Sequence, residues 1–169
     1  MDYRVQVPPA SSSGVRTLVQ QLSGLTIHSP IVPTKLLDKN VVTINDSPRA
    51  GQWWEIQGAY FEFPNANKSG IFFGGSNREG EFELAIKLAI GGISVAKQIF
   101  VTRAPKVIEP GEKWPLVGNL EAFLPMVVYP GQNITITYEL TFPAEASAFG
   151  EAITEVGKIV ISYVRHGKS

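Results

Sequence analysis

The chain has 169 residues, of which 44% are hydrophobic and only 18% charged, so it is long and apolar enough to bury one full core and too apolar to stay disordered. Fifteen basic residues balance fifteen acidic ones, which excludes a field that would steer nucleic acid or acidic substrates to the surface. Cysteine is absent, which excludes disulfides, thiolate nucleophiles and cysteine-held zinc or iron–sulfur centres. In chain order, the first five-residue pattern places Tyr3, Val5 and Val7 on one side of a short strand and Arg4 and Gln6 on the other. Pro8-Pro9 and Ser11-Ser12-Ser13-Gly14 then form a tether, so residues 1–14 read as an arm and residues 15–169 as one domain. The start of the chain lacks a cationic stretch followed by an apolar one, and no run approaches 18 apolar residues.

Beyond the tether, strands are predicted at 15–28, with a break near Gly24, then at 38–45 and 52–63. The third contains Trp53-Trp54, and because neighbours on a strand face opposite sides, one Trp should enter the core while the other points outward. Residues 64–79 form a long Gly/Asn/Ser-rich connection that carries Phe72-Phe73. At 81–90, Phe82, Leu84, Ile86, Leu88 and Ile90 alternate with Glu83, Ala85, Lys87 and Ala89, a period that no helix satisfies. Gly91-Gly92 then signals a two-residue hairpin in which both glycines take positive φ.

The returning strand, 94–103, should keep Ile93, Val95, Lys97, Ile99 and Val101 on one face, which misplaces Lys97 among apolar neighbours. A bulge between Ala96 and Gln98 would resolve the conflict. A strand is expected over 114–129, a type II turn at Pro130-Gly131, and a strongly alternating strand over 133–142. Residues 143–156 are rich in Ala and Glu and could hold one short helix, and 158–165 closes the set as an eighth strand.

The chemistry-bearing residues assemble no recognisable active site. There are two histidines, His28 and His166, far apart and without a metal-binding spacing or a nucleophile elbow. Glu79, Glu81 and Glu83 alternate along one strand face, which a solvated outer surface explains without a glycosidase carboxylate pair. Asp2, Asp38 and Asp46 are too scattered for a calcium loop, and Lys68-Ser69 precede the glycines of 70–75 where a phosphate loop would need them to follow. The expectation is therefore a non-enzyme with no metal and no cofactor. Its candidate contact residues are Tyr3, Val5, Val7, Trp53, Trp54, Phe72 and Phe73, since exposed aromatics and unpaired strands anchor interfaces or stack on sugar rings.

Eight main strands joined by hairpin turns and long connections, with an extra strand before the first, resemble the viral single jelly roll. More narrowly, the tethered N-terminal strand, the absence of cysteine and the segment PMVVYPGQNITITYELTF are similar to the small major capsid protein of membrane-containing icosahedral phages of thermophilic bacteria. The resemblance implies an all-β antiparallel two-sheet jelly-roll sandwich or barrel with an N-terminal arm strand. It implies a capsid subunit made in the host cytoplasm and built into an icosahedral shell through loop and edge-strand contacts. The partners would be further copies of the chain, a second capsid protein and an internal membrane surface, with no direct nucleic-acid binding. The alternative is a phage receptor-binding sandwich domain that holds carbohydrate on Trp53, Trp54 or Phe72-Phe73, and a sandwich enzyme or carbohydrate-binding module stands third.

Overall fold

A computed structural model describes residues 14–25, 36–63, 81–103, 116–141 and 156–167. The predicted arm, the connection carrying Phe72-Phe73, the expected short helix and His28 lie outside these residues. The described elements are all strands: β1 (Arg16–Leu22), β2 (Leu36–Ile44), β3 (Gln52–Phe63), β4 (Glu81–Ile90), β5 (Ile93–Arg103), β6 (Leu116–Asn119), β7 (Glu121–Ala122), β8 (Val127–Val128), β9 (Ile134–Thr141) and β10 (Gly157–Gly167). They pair antiparallel into two sheets, one ordered β1-β10-β3-β6 with β8 also on β3, the other ordered β2-β9-β4-β5-β7.

Among the eight longer strands, only β4 and β5 are both consecutive in the chain and adjacent in a sheet. Every other step carries the chain from one sheet to the other, which interleaves two Greek keys. This is the jelly-roll strand order. Its local cause is the period-two pattern: on β9, Ile134, Ile136, Tyr138 and Leu140 are buried between half-buried Thr and Glu, and on β4 the buried set is Leu84, Ile86, Leu88 and Ile90. The opposing sheet contributes Trp54, Ile56, Ala59, Phe61 and Phe63 from β3 with Ile159 and Ile161 from β10, and these side chains form one continuous core.

The turns form as their residues dictate. Gly91 and Gly92 adopt φ of 58° and 84°, joining β4 to β5. Gly131 adopts φ of 83°, and the Gln132 N–H donates to the Tyr129 carbonyl at 3.1 Å to close the Pro130-Gly131 turn. A fully buried Tyr138 ties the first crossover down: its hydroxyl donates to the Ser23 carbonyl at 2.8 Å, and the neighbouring Asn40 amide donates to the Gly24 carbonyl at 3.3 Å.

The strand expected over 15–28 stops at Leu22, close to the expected break near Gly24, and 26–28 lie outside the described residues. Two expectations are corrected. The strand expected over 114–129 is three short pieces, β6 and β8 pairing β3 while β7 pairs β5, so this segment steps between the sheets. Leu120 is the pivot, its side chain buried in the core and its N–H donating to the Ala59 carbonyl at 2.8 Å; Pro125, with no N–H, cannot extend the ladder. The bulge in β5 lies at Val95, since Leu88 pairs Ala96 and Ala89 pairs Ser94. Val95 and Ala96 are therefore both buried, Lys97 turns to solvent, and Ile99 and Val101 turn out with it.

Candidate functional site

The alternation along β3 sends the two tryptophans of 53–54 to opposite faces, as its period requires. Trp54 is buried against the Tyr163 ring, with centroids 4.5 Å apart. Its Nε1 is the one buried side-chain polar atom among the described residues without a hydrogen-bond partner. Trp54 is thus a core residue rather than a contact residue. Trp53 is half-buried on the outer face at the end of the sheet where β3 begins, stacked on His166 of β10 at 4.1 Å and 17°. The exposed Tyr129 ring stands 6.3 Å from it, tilted by 37°.

The pairing of β3 with β10 brings these groups together. His166 lies opposite Trp53 and Val164 opposite Glu55, so the imidazole covers the indole while its Nε2 meets Glu55 Oε2 at 2.9 Å. One face of Trp53 is therefore covered by the chain's own histidine. The sequence treats His166 only as an isolated residue, because the strand pairing that gives it a partner 111 positions away has no local signature.

A second surface lies on the other sheet at the free side of β5. The bulge exposes Ile99 and Val101 at 44% and 55%, and Ile93, ahead of the bulge beside the Gly91-Gly92 turn, is exposed at 62%. Beside them, Phe123 and Leu124 are also exposed, their N–H groups donating to the Val95 carbonyl at 2.9 and 3.3 Å, and Lys97 Nζ sits 5.9 Å from the centre of the Phe123 ring. β7 pairs β5 only at Ala96 and Lys97. From Gln98 to Arg103 the outer side of β5 has no strand partner among the described residues. The sequence points at this surface only through the misfit of Lys97, which marks the bulge but not its consequence for Ile99 and Val101.

Of the seven candidate contact residues, Trp53 is placed at the surface and Trp54 in the core, while Tyr3, Val5, Val7, Phe72 and Phe73 fall outside the described residues. No group of three metal-ligating side chains occurs among the described residues. No helix among them is long and apolar enough to cross a membrane.

The sequence matches no family model and no curated protein. Solved structures that resemble the chain include two of one viral protein. The first is the VP1 protein of Trichodysplasia spinulosa-associated polyomavirus in complex with GM1 oligosaccharide, at a TM-score of 0.36 and 7% identity, covering 90% of this chain and 95% of that one. The second is the same virus's VP1 in complex with 3'-sialyllactose, at 0.35 and 8%, covering 90% and 94%. The jelly-roll assignment rests on the chain's own strand order.

Proposed function

We propose that this chain is a structural virion protein, a single-jelly-roll subunit of an icosahedral capsid that assembles through loop and edge-strand contacts and has no catalytic role. The observation that carries the reading is the jelly-roll strand order combined with a long stretch of β5 edge that has no strand partner among the described residues and whose outward side chains are Ile99 and Val101. Exposed, unguarded edges promote association, and a monomeric protein normally blunts them with charge, proline or a covering segment. An exposed apolar edge of this kind suits a protein that works in contact with copies of itself. The partners are further copies of the chain and a second capsid protein, with an internal membrane beneath the shell.

The reading is tested by mass spectrometry of purified virus particles from the source of the sequence. The chain is expected among their most abundant proteins. Its presence in the soluble fraction and absence from the particles would overturn the assignment.

A second reading has a specific observation behind it: Trp53 and Tyr129 present aromatic surface beside the polar pair His166–Glu55, the combination that suits sugar stacking. On that reading the chain is a host-attachment domain. Binding on a glycan array that Trp53→Ala abolishes would favour it, and a blank array favours the shell subunit.

A further inference from the structure

We infer that the outer face of the β1-β10-β3-β6 sheet is a dimerisation surface, on which a second copy of this chain packs face to face about a two-fold axis running along β10 and β3. The inference goes beyond the shell-subunit reading and makes no use of the β5 edge.

The outer faces of the two sheets differ in charge. On the β2-β9-β4-β5-β7 sheet, Lys39, Glu139, Glu83, Lys87 and Lys97 stand on the outer side of four strands. A two-fold axis between its β4 and β5 would set Lys87 against Lys97 of the other copy, like charges that oppose contact. On the other sheet, alternation along β10 buries Ile159 and Ile161 and turns Lys158, Val160 and Ser162 outward. Along β3 it buries Ala59, Phe61 and Phe63 and turns Tyr60 and Glu62 outward. Strand pairing lines these residues up. One row across the four strands is Gln21, Lys158, Glu62 and Val117, and the next is Val19, Val160, Tyr60 and Asn119. Ser162 beside Gly58 follows. The charges in these rows are Lys158 and Glu62, which pair at 3.2 Å.

The surface is complementary to itself. A two-fold axis along the strands, between β10 and β3, reverses the strand order and keeps each row in place. Lys158 of one copy then faces Glu62 of the other, and Glu62 faces Lys158, so the two surface pairs close into a ring of four alternating charges. Val160 faces Tyr60, and the small pair Ser162 and Gly58 lets the sheets approach to the usual separation of about 10 Å. Shape agrees at the edge of the sheet. A cleft of about 260 Å³ is lined by Val19, Gln21, Glu62, Val156, Gly157 and Lys158. The axis brings Val117 of the second copy, which is 47% exposed, over Gln21 at its mouth.

Charge also selects the direction of the axis. An axis across the strands would set Lys158 toward His166 of the second copy and Glu62 toward Trp53, pairing no charge with its opposite. Four strands are about 19 Å wide and five residues about 17 Å long, so each copy contributes about 320 Å² of sheet. That is the scale of a weak, reversible contact, one step in a larger assembly rather than a permanent dimer.

The test separates contact between copies from the ion pair within each copy. Full-length Lys158→Glu and Glu62→Lys variants are purified separately and compared with the wild-type chain by sedimentation velocity, at one ionic strength and up to about 1 mM protein. The wild type is expected to form a reversible dimer. Each variant alone would bring four like charges together, raising the dimer dissociation constant by about tenfold or more. An equimolar mixture should return to the wild-type value, because a copy carrying two carboxylates then faces a copy carrying two ammonium groups. Mixing cannot mend a pair within one copy, so recovery reports contact between copies. A wild-type chain that stays monomeric throughout, variants that dimerise as well as the wild type, or a mixture that shows no recovery would each overturn the proposal. Val101→Lys, on the other sheet, should leave this dimer in place and act on larger assemblies only, and loss of the dimer in that variant would also overturn it. Absence of the chain from virus particles would overturn the shell-subunit reading while leaving the dimer standing.

Discussion

At the scale of single residues, the fold depends on a few positions where chemistry leaves no alternative. Tyr138 is one: burial raises its phenol above the ordinary tyrosine value of about 10, against the opposing effect of its hydrogen bonds. Because the folded chain holds this proton more tightly than the unfolded chain, the stabilisation is fully present below pH of about 10 and is lost as pH climbs through the raised value. Tyr138→Phe is expected to cost about 1 kcal/mol at neutral pH through the lost bond to Ser23. Above pH 10 the variant should lose stability less steeply than the wild type, which urea unfolding across pH 7–11 would show; parallel slopes would mean that Tyr138 does not titrate in this way. Gly157 is a second such position, because a Cβ there would overlap the Phe63 ring and the Glu62 carbonyl. Gly157→Ala should destabilise by about 1–3 kcal/mol, and an unchanged unfolding midpoint would show that β10 can shift away from β3 at this point.

At the scale of elements, legibility follows the range of the interaction. β4 and β9 are readable because burial against a single core imposes period two on a short window, and the Gly91-Gly92 and Pro130-Gly131 turns because positive φ selects glycine. β6 to β8 are not readable as separate pieces: LVGNLEAFLPMVV alternates well enough to pass for one strand, and only the competition between β3 and β5 for its backbone groups divides it. The Val95 bulge is half legible, since Lys97 betrays a break in phase but nothing local states which residues it turns outward. The Trp53–His166–Glu55 cluster is legible only in the opposite facing of the two tryptophans, because the partners come from the far end of the chain. The pivot itself makes a prediction. Leu120→Ala removes a core side chain where the chain changes sheets and should cost about 2–5 kcal/mol, whereas Phe123→Ala, three residues away and half-exposed, should stay within about 0.5 kcal/mol. Chemical denaturation of both variants decides the matter, and equal costs would show that 120–124 acts as one packed unit.

At the scale of the whole molecule, the charge balance and the placement of apolar side chains together set how the subunits should associate. Fifteen positive and fifteen negative side chains leave no net field, so steering between copies contributes little to encounter. The ion pairs Lys39–Glu139 and Lys158–Glu62 are at the surface, within one subunit, and solvent screens them. Lys87 and Lys97 lie opposite each other on β4 and β5, a like-charge pair whose repulsion salt relieves rather than strengthens. The contacts available to a neighbour, Ile99, Val101, Phe123 and the backbone of the β5 edge, are apolar or hydrogen-bonding and carry no charge for ions to screen. Self-association measured by sedimentation equilibrium should therefore change by less than about tenfold between about 0.05 and 0.5 M NaCl, a range over which the Debye length shrinks from about 14 to about 4 Å. Replacing Val101 with Lys should weaken association at every salt concentration, since it adds a charge to the edge and removes apolar contact, and the loss should be partly recovered at high salt because Lys97 and Arg103 stand close by on the same strand. A wild-type assembly that dissociates steeply as salt rises would place the working interface on charged groups and away from the β5 edge.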